Sequence, residues 1–327
     1  MTQTPALLNT QWGFFLSRLL ILIGMVIFFT FTGAALGYMA VKLFYRVDPG
    51  IMNLAGLNKE NPEIISALKL FQSIAVSVMF LMPAFLFPAA AKSKVGSFLK
   101  LKNPTPYFSW PVAILLMIIC IPFVSWLYQI NQGLKLPASW SSFESEIRQM
   151  EDKAAELTKV FVEASSIGML LLNILVVAVI PAICEEFFFR GVVQNFIKLC
   201  FYNEIVAIIL AALIFSGFHG QYYGFLPRFF LGIILGYIYA TSGNIWVSVL
   251  AHFFNNAFAV TIMYVSKFYP TVSIFKDEYV FPLPISLLSG VMVIGVIWWY
   301  RKIFRDLVFT KLFSKSALPE NKEMVQE

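Results

Sequence analysis

The chain has 327 residues, 59% of them hydrophobic and only 13% charged, with a formal net charge of +6. Soluble domains carry about 25% charged residues, so the composition excludes an ordinary soluble enzyme and implies an all-α, polytopic membrane protein. The positive charge lies in a few loops and the C-terminal tail, which points to membrane orientation and not to nucleic acid.

Taken in order, eight apolar runs approach the ~20 residues that a bilayer requires, so the sequence predicts a bundle of about eight transmembrane helices. The first runs from about Leu16 to Phe44 and carries Gly33-x-x-x-Gly37, a spacing that lets helices approach closely. The second covers about Ile64 to Ala91, with Pro83 and Pro88 near its end, and the third about Phe108 to Ile130. The fourth is the long Ser166–Phe201 segment, followed by Glu204–His219, Leu226–Thr241, Asn244–Val265 and Pro284–Phe304. Gly232-x-x-x-Gly236 lies in the sixth. Cys120, Cys184 and Cys200 fall in or beside these runs without a C-x-x-C pair, so no disulfide framework or zinc knuckle is implied. The chain divides into a three-span region with a long outer loop (1–165), a four-span core (166–265), and a last span with a basic tail (266–327).

Lysine and arginine orient the spans. Lys92, Lys94, Lys100 and Lys102 fill the second loop, and Arg301, Lys302, Arg305, Lys311 and Lys315 the tail. With eight spans both belong in the cytoplasm, as does the N-terminus. The long third loop is net acidic and belongs outside, with a polar surface helix expected over Phe143–Ala164.

Within the fourth run stands Cys184-Glu185-Glu186-Phe187-Phe188-Phe189-Arg190. A charge at the centre of a spanning helix costs roughly 2.5–3.5 kcal/mol on insertion scales, so these residues need a reason. Glu186 and Arg190 are four apart and can pair on one helical face. Glu185 lies about 100° further round with no partner in its own helix. The only two histidines, His219 and His252, also fall in apolar runs. All three are expected within the membrane, where a water-filled cavity must hydrate them.

Three motifs follow one another: Glu185-Glu186-x-x-x-Arg190, Phe215-x-x-x-His219 and His252-x-x-x-Asn256. Their order resembles that of the CPBP family, the CAAX proteases and bacteriocin-processing enzymes also called Abi. The resemblance covers about Ser166 to Tyr264. In its bacterial-type form it implies an intramembrane endopeptidase of the inner membrane acting on membrane-embedded or lipidated peptides, with the first glutamate as base.

The residues support hydrolysis by their own chemistry. Peptide hydrolysis needs a base for water and donors for the oxyanion. Glu185 is the free base and His219 a group to share or orient the water, while Glu186–Arg190 reads as an orienting ion pair. His252 and Asn256, four apart on one face, can donate towards one point. Gly217, Gly220 and Gly224 leave room for a substrate backbone. Metal stays open: Glu185, His219 and His252 could hold one zinc, yet H-E-x-x-H is missing, and ligation by Glu185 would leave Glu186 as the base. No cofactor is required by the metal-free reading, which is preferred. The competing classes are a proton- or ion-coupled transporter, which would need an inverted repeat not visible in the sequence, and a catalytically silent immunity or binding protein.

Overall fold

The computed structural model describes residues 5–46, 61–269, 271–272 and 279–315. Ten helices organise it. They are α1 (Pro5–Tyr45), α2 (Pro62–Ala90), α3 (Ser109–Ile119), α4 (Ile121–Gly133) and α5 (Ser141–Val162), then α6 (Ile167–Phe201), α7 (Glu204–Phe218), α8 (Phe225–Ser242), α9 (Ile245–Ser266) and α10 (Leu283–Lys315). No strand occurs among the described residues.

Polar caps set the boundaries inside the apolar sequence. Asn61 accepts the Glu63 amide at 2.9 Å, Ser166 that of Met169 at 3.2 Å, Asn203 that of Ile205 at 2.9 Å and Asn244 that of Trp246 at 2.9 Å. Each oxygen satisfies an N–H that the first helical turn leaves open. Gly243, with φ of 64°, supplies the left-handed step that ends α8 just before the Asn244 cap.

By length and composition the span count is slightly lower. Among the described residues, six helices are long and apolar enough to cross a membrane, or seven if the bent pair α3–α4 is one span, where about eight were expected. The shortfall is α7. At 15 residues it measures about 22 Å, against roughly 30 Å of hydrocarbon. The third run breaks by 43° between Ile119 and Ile121. Pro122 has no N–H to continue the ladder, and Ser289 of α10 fills the gap. Its hydroxyl donates to the Ile119 carbonyl and accepts the Phe123 amide at 3.3 Å, the two groups that would otherwise bond each other.

Two apolar cores result. One gathers Phe80 and Phe87 of α2 with Phe188, Phe189 and Phe196 of α6 and Phe215 of α7. The consecutive Phe187, Phe188 and Phe189, expected either to pack or to face lipid, are all buried. The other joins Leu116 of α3, Ile234 of α8, Val247 of α9 and Tyr300 of α10. The first glycine pair brings α1 onto α2: a Cβ on Gly33 would lie 2.8 Å from the Ala75 carbonyl oxygen.

The two ends of the bundle differ. At one, the lysine-rich second loop is tied down, with Asn195 donating to the Phe98 carbonyl at 2.7 Å and Asn244 to that of Asn103 at 2.9 Å. At the other, α5 is the polar surface helix expected in the third loop. Its Glu151 accepts the Tyr223 amide at 3.1 Å on both oxygens, and its Glu144 accepts the Tyr223 hydroxyl at 3.1 Å. Asn131 of α4 closes the same turn, donating to the Tyr222 carbonyl at 2.9 Å and accepting the Leu226 amide at 2.7 Å. The basic tail beyond residue 315 lies outside the described residues.

Candidate active site

The site grows from irregularities in α6. This helix widens to π geometry over Ile174–Val179 and again over Glu186–Gln194, flanking the regular turn Ile180–Glu185. π segments inside α-helices recur at functional sites. Pro181 explains part of the first. It has no hydrogen to give the Val177 carbonyl, and Asn256 of α9 donates its side-chain amide to that oxygen at 3.3 Å instead.

The second π segment carries a polar row. Arg190 donates to Glu186 Oε1 at 2.8 Å and to the Gly232 carbonyl at 3.2 Å. One turn on, Gln194 donates to the Gly236 carbonyl at 3.1 Å. The four-residue spacing of the glycines on α8 matches that of the donors on α6. A Cβ on Gly236 would sit 2.8 Å from Gln194 Oε1 and displace that side chain, whereas one on Gly232 would press on Ala212 of α7, 3.0 Å from its Cβ.

Glu186 is fully enclosed, its side chain 0% exposed. Besides Arg190 it binds Ser248 Oγ in a short hydrogen bond and His252 Nδ1 at 2.9 Å. The sequence reading missed Ser248. It lies one turn before His252 on the same face of α9, and that i,i+4 spacing was the available signal. A carboxylate held by Arg190 accepts hydrogen bonds, so the proton of this contact sits on His252 Nδ1.

Glu185 stands apart. Its side chain is 15% exposed, and its nearest polar partner is His252 Nε2 at 3.9 Å, beyond hydrogen-bond range. His252 thus lies between the two glutamates, fixed by one and facing the other.

His219 caps the C-terminal end of α7. Its Nδ1 bonds the Phe215 carbonyl at 2.9 Å; a carbonyl only accepts, so Nδ1 carries the hydrogen and Nε2 is free to accept. Phe215 links the groups. The rings of His219 and His252 meet it edge-on at 5.0 and 6.0 Å, and the Arg190 guanidinium lies 4.6 Å from its centroid. This is the physical content of the phenylalanine four residues before His219.

The structure therefore gathers Glu185, Glu186, Arg190 and His252 directly, and His219 through Phe215. Asn256 is on the same helix as His252, but its nitrogen points at Val177 and its oxygen accepts from Asn255 at 3.1 Å. Around the turn after His219, a Cβ on Gly217 or Gly220 would meet open space, whereas Gly224 is covered by the Arg228 guanidinium. Among the described residues, no group of three His, Cys, Asp or Glu side chains is arranged to hold a metal ion.

Residues 167–258 match the family model described as Type II CAAX prenyl endopeptidase Rce1-like. No curated protein and no solved structure matches the chain. The matched segment begins at the first residue of α6, ends within α9 and contains Glu185, Glu186, Arg190, Phe215, His219, His252 and Asn256. Over that segment, a little more than a quarter of the chain, the protein is similar to the CAAX-type family of membrane proteases.

Proposed function

We propose that this chain is an intramembrane endopeptidase that hydrolyses a peptide bond of a membrane-embedded or lipidated substrate with water activated by Glu185. The observation that carries the reading is the unequal treatment of two adjacent carboxylates. Glu186 has its oxygens occupied by Arg190, Ser248 and His252, whereas Glu185 makes no hydrogen bond to a described residue. A base must keep a lone pair for its proton; three hydrogen bonds fill most of the acceptor capacity of Glu186, whereas that of Glu185 is open.

In this mechanism Glu185 takes a proton from water as the water attacks the carbonyl, then delivers it to the departing nitrogen. His219 Nε2 accepts the second hydrogen of that water and fixes its direction. His252, with Nδ1 held by Glu186, presents Nε2 on the Glu185 side; when protonated, it donates to the developing oxyanion. Arg190 and Ser248 act through Glu186 by keeping that imidazole in place. Asn256 supports the wall of the site through Val177. The reading is metal-free: Glu186 is committed to Arg190, Ser248 and His252, which leaves Glu185 as the base.

The lysine-rich Lys92–Lys102 end belongs in the cytoplasm and the α5 end outside; α7 leads from the Asn195 end of the bundle to the Tyr223 turn under α5, so the eight passes stay even and both termini lie on the cytoplasmic side. For a bacterial-type member the membrane is the inner one. The test is cleavage of an S-farnesylated peptide by the purified protein in nanodiscs, with products identified by mass spectrometry. Hydrolysis near the lipidated residue, absent in Glu185→Gln and insensitive to chelators, is the expected result. Chelator-sensitive hydrolysis overturns the metal-free mechanism, and unchanged hydrolysis by Glu185→Gln overturns the base.

A further inference from the structure

Beyond the reacting groups, one cation has hydrogen-bonding capacity that the mechanism does not use. Between α5 and the start of α8 lies a polar cavity of about 700 Å³, lined among others by Tyr128, Arg148, Glu151, Gln221 and Arg228. Two of its charges are already engaged. Arg148 pairs with Glu144 at 3.0 Å, and both oxygens of Glu151 receive the Tyr223 amide.

Arg228 is different. Its Nη2 donates to the neutral side-chain oxygen of Gln221, while Nη1 is buried without any hydrogen-bond partner. No carboxylate lies within ion-pair distance of it among the described residues. A buried charged donor left unsatisfied costs free energy and calls for an explanation. The guanidinium rests flat on Gly224, where a Cβ would lie 2.5–2.7 Å from its atoms. Its partner Gln221 stands two residues after His219 in the turn between α7 and α8, so a ligand taken by Arg228 lies at the His219 end of the site.

We infer that Arg228 is a specificity-determining residue that binds a carboxylate of the substrate, with Gln221 holding its place until that carboxylate arrives. An arginine fork suits a carboxylate bidentately. Exchange of the Gln221 oxygen for a carboxylate, with rotation of the guanidinium off Gly224, offers both Nη donors to one ligand. The carboxylate has two sources, a free C-terminus or an acidic side chain. A free C-terminus would confine cleavage to the last few residues of the substrate.

The inference rests on the endopeptidase reading but is tested by binding, so the two can fail separately. In nanodiscs, the Glu185→Gln protein is titrated with a fluorescent S-farnesyl peptide as its C-terminal acid, as its C-terminal amide, and as an amide carrying one aspartate. Charge-assisted hydrogen bonding gives an expected preference for the acid of about tenfold to a hundredfold. Adding Arg228→Gln should erase that preference, and Arg228→Lys should recover part of it. Gly224→Ala, which keeps the arginine but removes its resting place, should also lower it, with thermal unfolding as the check that each protein is folded. Preference for the aspartate peptide over the plain amide would assign the site to an acidic side chain. Absence of any carboxylate-selective binding, or a preference that survives Arg228→Gln in folded protein, overturns the inference. Hydrolysis by wild-type protein regardless of terminal charge would leave the endopeptidase reading standing alone; selective binding without hydrolysis would leave only the Arg228 assignment.

Discussion

Glu185 and Glu186 are consecutive residues in two different regions of the molecule. Glu186 faces the packed seam between α6, α8 and α9, where Arg190, Ser248 and His252 converge on it. Glu185 turns away from that seam, makes no hydrogen bond to a described residue, and lies 3.9 Å from His252 Nε2. A charge that is completely paired inside a bundle serves to hold it together. A charge kept in the membrane without such pairing points to chemistry. The contrast teaches that the unpartnered neighbour, not the more buried one, is the candidate for reaction. His252 connects the two, because the architecture on one side of its ring orients the other.

The most drastic way to break the contrast is to unpair the seam. Arg190→Leu leaves Glu186 buried beside Ser248 and His252 alone and should destabilise the protein by about 3–5 kcal/mol. Thermal unfolding in detergent measures it, and the double change Glu186→Leu with Arg190→Leu should recover part of the loss. An unaltered melting temperature in the single variant would remove the seam from the account. Next in size is the connecting ring. His252→Ala leaves Glu185 in place but deletes the oxyanion donor, and single-donor losses elsewhere run to about 10²–10³ in turnover. Loss of activity without loss of melting temperature would sharpen the division between the two regions; a full-rate variant would contradict the role given to Nε2.

A smaller change tests whether the seam positions that ring. Ser248→Ala removes one hydrogen bond to Glu186, which should lower stability by about 1–2 kcal/mol and reduce turnover while KM is kept. Finally, the α5 clamp titrates. The Leu136 amide and then Arg148 hold the Glu144 carboxyl below its ordinary value. A depressed carboxyl contributes stability that is complete above its unfolded pKa and lost as pH falls through the folded one. Hydrogen exchange at the 219–225 turn should therefore stay slow at neutral pH and quicken in acid below the usual carboxylate range, and Glu144→Gln should remove that acid response.

Much of this was legible in the sequence. The i,i+4 spacing foretold the Glu186–Arg190 pair, and the apolar runs foretold the long apolar helices, though not the break between α3 and α4. The α7 helix, whose apolar stretch ends before His219 after 15 residues, is shorter than the ~20 residues expected of a span. Ser248, Arg228 and the Val177 carbonyl were not visible as parts of the site. Their roles come from contacts between helices far apart in sequence, and no local pattern announces that Pro181 will free a carbonyl for Asn256 to take.

The most direct measurement compares Glu185→Gln with Glu186→Gln in one experiment, recording peptide hydrolysis and melting temperature for each purified protein. The account predicts that Glu185→Gln melts like wild type and hydrolyses nothing detectable, whereas Glu186→Gln melts several degrees lower. A folded Glu185→Gln protein that still cleaves, or a Glu186→Gln protein of unchanged stability that has lost all activity, would contradict the division between base and support.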